Sequence, residues 1–86
     1  MFNVILSPKA EKSLDNIRKS NRRLFNHAIR VLEQIAQDPY CAKSLVANLK
    51  GYYSYRVSNY RIIFEIDKDK SKIYVEKIAH RSNVYK

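Results

Sequence analysis

The sequence predicts a single α+β domain spanning residues 1–86: an N-terminal strand, an antiparallel two-helix hairpin, then a three-stranded antiparallel meander. These would form one twisted sheet with the helices on one face. Two observations carry the prediction. Up to Asp38, apolar residues recur at three- and four-residue spacing, the period of a helix, whereas from Tyr52 onward they alternate, the period of a strand. Helices followed by strands, rather than the two interleaved, is the α+β order. A chain of 86 residues also leaves room for only one core.

Phe2–Leu6 is a short β-prone run. Ser7-Pro8 marks a helix start, because serine can cap free backbone N–H groups and proline at the first helical position loses nothing. Ala10, Leu14 and Ile17 form the apolar stripe of that helix. The polar stretch Arg18–Arg23 breaks the pattern and predicts a turn. Leu24, Ala28, Val31, Leu32 and Ile35 then give the buried face of a second helix, which Asp38-Pro39 ends. Leu45, Val46 and Leu49 fit a helical turn, and Gly51, the single glycine, suits a positive φ after it. Tyr53, Tyr55 and Val57 alternate, as do Tyr60, Ile62, Phe64 and Ile66. Between them Ser58-Asn59 fits a two-residue hairpin loop in which Asn59 tolerates positive φ. Asp67–Lys72 is a polar turn before a last strand with Ile73, Val75 and Ile78. The spacing slips by one between Val75 and Ile78, the mark of a β-bulge.

Composition narrows the function classes. One cysteine, Cys41, permits no intramolecular disulfide and suits a reducing compartment, where it reads as a small apolar residue. Met1–Leu6 lacks the features of a signal peptide, and no run approaches transmembrane length. A soluble cytoplasmic protein without membrane contact is therefore expected. Seventeen basic against eight acidic residues give a net charge of +9. The excess is spread evenly, +5 over residues 1–50 and +4 over 51–86, so the folded body itself is basic. Nucleic acid, an acidic protein partner and a merely soluble basic surface are all compatible with that charge.

Hairpin geometry sharpens the choice. With Ser58-Asn59 as the loop, Val57 opposes Tyr60, Arg56 opposes Arg61, Tyr55 opposes Ile62 and Tyr53 opposes Phe64. The apolar set faces the helices, and the other face carries two guanidiniums directly across from each other. Such a like-charge pair costs a few tenths to about 1 kcal/mol, so either the side chains splay into solvent or pair with Glu65, or they serve an anion. Guanidinium suits phosphate through planar two-point bonding and permanent charge. The C-terminal run His80-Arg81-Ser82-Asn83-Val84-Tyr85-Lys86 adds an imidazole, a guanidinium and a phenol within six residues. These are groups that transfer protons, stabilise a phosphorane and stack on a nucleotide. A structural histidine and an aromatic tail anchor are the plain readings of His80 and Tyr85. The carboxylates lack paired acid/base spacing, His27 reads as a surface or packing residue, and His and Cys are too few for zinc. No cofactor or metal is expected.

Leu49-Lys50-Gly51, the run Tyr55–Phe64 and His80-Arg81 through Val84-Tyr85, in that order, resemble the RelE/ParE superfamily of bacterial and archaeal type II toxins. Within it they are most similar to the RelE-like mRNA interferases. The resemblance implies a metal-independent endoribonuclease that enters the ribosomal 30S A site, where the 2′-hydroxyl of the bound message attacks the adjacent phosphate and translation stops. It makes Arg61 a phosphate stabiliser with Arg56 beside it, Arg81 the group assisting the leaving oxygen, and Tyr85 the residue that stacks on or orients the nucleotide. The family's two lysines fall at Ser54 and Arg56. Serine is uncharged and arginine stays protonated, so His80 is the expected proton carrier. The implied partners are the ribosome with its mRNA and a cognate acidic, RelB-like antitoxin, with operator DNA bound only through that antitoxin. The alternative is the ParE branch, a non-nuclease that inhibits DNA gyrase through protein contacts. A plain RNA-binding module would explain the charge but not the combination of Arg61, His80-Arg81 and Tyr85.

Overall fold

Ser7 and Pro8 begin a helix as their chemistry requires. The computed structural model describes residues 1–41, 43–44 and 52–80, with backbone alone at 41, 43 and 44. In it, strand β1 (Asn3–Leu6) runs directly into helix α1 (Pro8–Ser20). The Ser7 hydroxyl accepts from the Ala10 amide, and Pro8 occupies the first turn, where its missing N–H costs nothing. Ala10, Leu14 and Ile17 form the buried face of α1, as their spacing requires.

The predicted turn over Arg18–Arg23 shrinks to one residue. Asn21 ends α1 by donating its N–H to the Ile17 carbonyl, and it starts α2 (Arg22–Gln37) by accepting the Leu24 amide on its side-chain oxygen. Arg18 and Lys19 stay helical because Asp15, one turn back, pairs with both, at 2.6 and 3.2 Å. The Arg18 hydrogen bond, followed by that of Lys19, holds the Asp15 carboxyl below its usual range. Helix α2 buries Ala28, Val31, Leu32, Ile35 and Ala36, and gives way to a 3₁₀ turn at Pro39–Cys41. No helix among the described residues is long and apolar enough to cross a membrane.

Among the described residues, α1 and α2 cover one face of a five-stranded sheet in the order β1-β5-β4-β3-β2. Strands β3 (Tyr52–Val57), β4 (Tyr60–Asp67) and β5 (Lys72–His80) form the antiparallel meander. The β3–β4 register pairs Val57 with Tyr60, Arg56 with Arg61, Tyr55 with Ile62 and Tyr53 with Phe64, as the hairpin loop dictates. Within that loop the left-handed residue is Ser58 (φ 55°) and not Asn59. The first loop position is where a type II′ hairpin turn needs positive φ. Two pairings go beyond the meander: β1 joins β5 in parallel, and a two-residue strand β2 (Lys43–Ser44) adds to β3. The predicted turn at Leu45, Val46 and Leu49 and the positive φ at Gly51 lie outside the described residues.

The bulge falls where the spacing slips. Ile63 pairs with Lys77 but Phe64 pairs with Val75, leaving Glu76 without a cross-strand partner. Ser7 braces this kink from the helix side. Its N–H donates to the Val75 carbonyl at 2.9 Å, and its hydroxyl donates to the Glu76 carbonyl at 2.7 Å. One serine thus caps α1 and holds the irregular turn of β5. Ser7→Ala removes the cap and the Glu76 bond together and is expected to lower unfolding stability by about 1–2 kcal/mol. Urea denaturation would show this as a lower midpoint at unchanged slope.

Candidate nucleic-acid interface

Strand alternation divides the sheet into two chemically different faces. Toward the helices point Val57, Ile62, Phe64, Ile73, Val75 and Ile78, all buried. Away from them point the residues between, in rows fixed by the register. The row nearest the β3–β4 loop is Arg56, Arg61 and Ala79, the next Ser54, Ile63 and Lys77, and the next Tyr52, Glu65 and Tyr74. Positive charge therefore collects at the hairpin end of this face. It is open in that neither helix covers it, although Ser54 and Ile63 in its middle row are buried.

Arg56 and Arg61 oppose each other as the sequence implied, and the structure shows how their repulsion is managed. Arg61 turns diagonally along the sheet and donates from Nη1 to Ser54 Oγ at 3.1 Å. Ser54 is 2 % exposed and Arg61 half-buried, so this is a guanidinium held on a closed floor, not a free surface chain. Arg56 is exposed and takes part in no ion pair or side-chain hydrogen bond among the described residues. Neither arginine pairs with Glu65. Ser54, notable in the sequence only for its lack of charge, is thus the residue that orients Arg61. The signal was its place on the same face, one diagonal step from Arg61.

His80 is not brought to the arginines. It opposes Tyr60, with the two rings edge to face at 5.5 Å, and so sits on the helix side of the sheet. There it shares a cleft of about 270 Å³ with Ser13, Asn16 and Ser20 of α1 and with Tyr60. The expectation that the His80 imidazole shares one hollow with Arg56 and Arg61 is therefore corrected. Ala79 is the β5 residue opposite Arg61, and strand alternation turns the next side chain the other way. Arg81 and Tyr85 lie outside the described residues. His27 is exposed on α2, and no group of three or more His, Cys, Asp or Glu among the described residues could hold a metal ion.

Residues 4–85 match the family described as the ParE toxin of the type II toxin-antitoxin system, parDE. The chain belongs to the RelE/ParE superfamily of toxins. This toxin is 21% identical over 87 residues to a candidate toxin named RelE4 of Methanocaldococcus jannaschii, covering 100% of this chain and 93% of that protein. Its fold is similar to a chain of the RelBE2 toxin-antitoxin complex from Mycobacterium tuberculosis, with TM-score 0.80 and 21% identity over 93% of this chain and 98% of that one. It is also similar to a chain of the YoeB-YefM complex from Staphylococcus aureus, with TM-score 0.78 and 21% identity over 93% and 97% of the two chains.

The toxin's open face has one preset guanidinium, Arg61, and one exposed partner, Arg56. A guanidinium already oriented loses less freedom when it binds an anion than one that must first be ordered. Ser54→Ala frees Arg61 to recoil from Arg56. The variant is expected to lose about 1 kcal/mol of stability and to show faster side-chain motion at Arg61 Nε in nitrogen-15 relaxation. An unchanged Arg61 signal would mean that the serine orients nothing.

Proposed function

We propose that this toxin is a metal-independent endoribonuclease that cuts mRNA in the ribosomal A site. The 2′-hydroxyl of one nucleotide, giving its proton to solvent, attacks the phosphate that follows it. The P–O5′ bond breaks to leave a 2′,3′-cyclic phosphate and a protonated 5′-hydroxyl end. The observation that carries the reading is the guanidinium pair on the open sheet face, with Arg61 held in place by Ser54. In that reaction the phosphate becomes a phosphorane with an added negative charge. A donor already aimed at the spot stabilises the charge without reorganising. Arg61 fills that role, and Arg56 gathers the flanking phosphate. The net charge of +9 supplies the long-range attraction toward RNA. Arg81 and Tyr85 keep the leaving-group and stacking roles that the family resemblance implies for them. His80 is no longer assigned the proton, because it faces the helices.

A cytoplasmic toxin of this kind needs a neutralising partner, here an acidic antitoxin that covers or distorts the arginine row. Two of the similar structures are toxin-antitoxin complexes, which supports such a partner. Operator DNA would be contacted through that antitoxin.

One further reading has specific support. The matching family is that of ParE toxins, and the imidazole lies on the other side of the sheet from Arg56 and Arg61. Both favour a toxin that inhibits DNA gyrase by protein contact without cutting RNA. Cell-free translation with primer extension separates the two. The nuclease reading expects new 5′ ends within codons of the message, and loss of at least about 100-fold in cleavage for Arg61→Ala, the scale of one removed charge-stabilising donor. Intact message together with gyrase-dependent DNA breaks would establish the other reading.

Electrostatic contact with RNA has its own signature. Binding of the toxin to single-stranded RNA is expected to weaken steeply with salt, and Arg56→Gln and Arg61→Gln should each flatten the logarithmic slope by roughly one unit or less. Equal slopes in the variants and the parent would take phosphate contact away from this row.

A further inference from the structure

Glu65 stands out on the open face. It is an exposed carboxylate on a surface whose hairpin end is basic, and it makes no ion pair or side-chain hydrogen bond among the described residues. Its cross-strand neighbours are Tyr52 on β3 and Tyr74 on β5, directly opposite it on either side and both half-buried. A carboxylate repels phosphate, so this row is unsuited to the RNA backbone. Two phenol rings with an acceptor between them suit a nucleobase, whose face stacks on an aromatic ring while its edge offers N–H donors.

From this geometry we infer that Tyr52, Glu65 and Tyr74 form a base-reading row that selects bases carrying an exocyclic amino group over uracil. The inference rests on the RNA reading of the arginine row. Along β4, Glu65 is four residues from Arg61, and that separation is about 14 Å. An extended strand with its phosphate on Arg61 therefore presents a base to Glu65 one or two nucleotides from the phosphate that is cut. Neighbouring strands are about 4.8 Å apart, so a base stacked on either ring has its edge within reach of the carboxylate. An ionised carboxylate only accepts hydrogen bonds. Cytosine, adenine and guanine each meet it with an amino group. Uracil meets it with carbonyl oxygens flanking a single N–H.

The row is a specificity element and its test reads preference separately from rate. Wild-type toxin is added to cell-free translation of a message whose windows differ by one base at each position, and ends are mapped by primer extension. One position close to the cut is expected to disfavour uracil by roughly five-fold or more, the size of one base-edge contact. Glu65→Gln, whose amide both donates and accepts, levels that preference. Tyr74→Leu lowers cleavage at every base by roughly ten-fold, the loss of one stacked base, while keeping the preference. Thermal melts followed by circular dichroism establish that both variants are folded, and Tyr74→Phe, which retains the ring, restores cleavage if Tyr74→Leu does not fold. Cleavage by Glu65→Gln with the wild-type base profile overturns the inference and leaves the nuclease reading intact. If the wild type cuts nothing, that reading fails, and binding of short oligo(rA), oligo(rC) and oligo(rU) decides the row. Weaker binding of oligo(rU) that disappears in Glu65→Gln supports it. Equal binding of the three, or a preference unchanged in the variant, overturns it.

Discussion

One residue without a cross-strand partner decides which way the end of the last strand faces. If β5 paired with β4 without interruption from Phe64–Val75 onward, Ile63 would oppose Glu76, and Lys77 would point into the helices. Ile78 and His80 would point to the open face. Leaving Glu76 unpaired reverses all of these, so that Ile78 enters the core at 2 % exposure and Lys77 joins the arginines. The energetics favour this strongly. Burying an isoleucine side chain gains about 1.5–3 kcal/mol, and burying an unpaired lysine ammonium would cost several kcal/mol more. Against that stand the lost ladder bonds of one residue, which Ser7 partly replaces through the bond from its hydroxyl to the Glu76 carbonyl.

The same step settles the chemistry of the two faces. His80 follows Ile78 by two residues and is bound to its side of the sheet, next to Tyr60 and α1. The open face is left with permanently charged groups nearest the hairpin loop and phenols beyond them. Its hydrogen-bonding order runs from donors at Arg56 and Arg61 to an acceptor at Glu65. Such a face has a direction, since a partner with negative charge at one end and donors at the other fits it in one orientation only.

Much of this was legible in the sequence, and the exceptions have physical causes. The hairpin register followed from a two-residue loop and from alternation that permits only one face to be buried. The bulge showed itself as the slip between Val75 and Ile78. His80's direction was legible too, since a residue two beyond Ile78 must share its face. Adjacency to Arg81 in the chain argued for a shared site instead, although alternation along β5 already turns His80 away from the side on which Ala79 opposes Arg61. The parallel β1–β5 pairing was invisible because its partners lie at opposite ends of the chain, with no turn chemistry to join them. Strand β2 is two residues long, too short to show a period. At Arg18–Arg23, polarity was read as a turn when it marked only solvent exposure. The ion pairs to Asp15 and the double use of Asn21 kept both helices intact.

Ser54 shows most clearly where reading by residue type runs out. Judged by charge, a serine where the family resemblance would place a lysine looks like a loss from the site. In the fold it removes a third like charge from beside two guanidiniums and supplies the acceptor that draws Arg61 out of line with Arg56. A lysine there would crowd the pair and require an outside anion to relieve it, whereas the serine lets Arg61 rest oriented in the free protein. The exchange gives up one charge in attraction and gains order in the guanidinium that remains. On the nuclease reading proposed for this toxin, an aimed donor acts more strongly than one screened by water, so the order that Ser54 gives Arg61 offsets the missing cation.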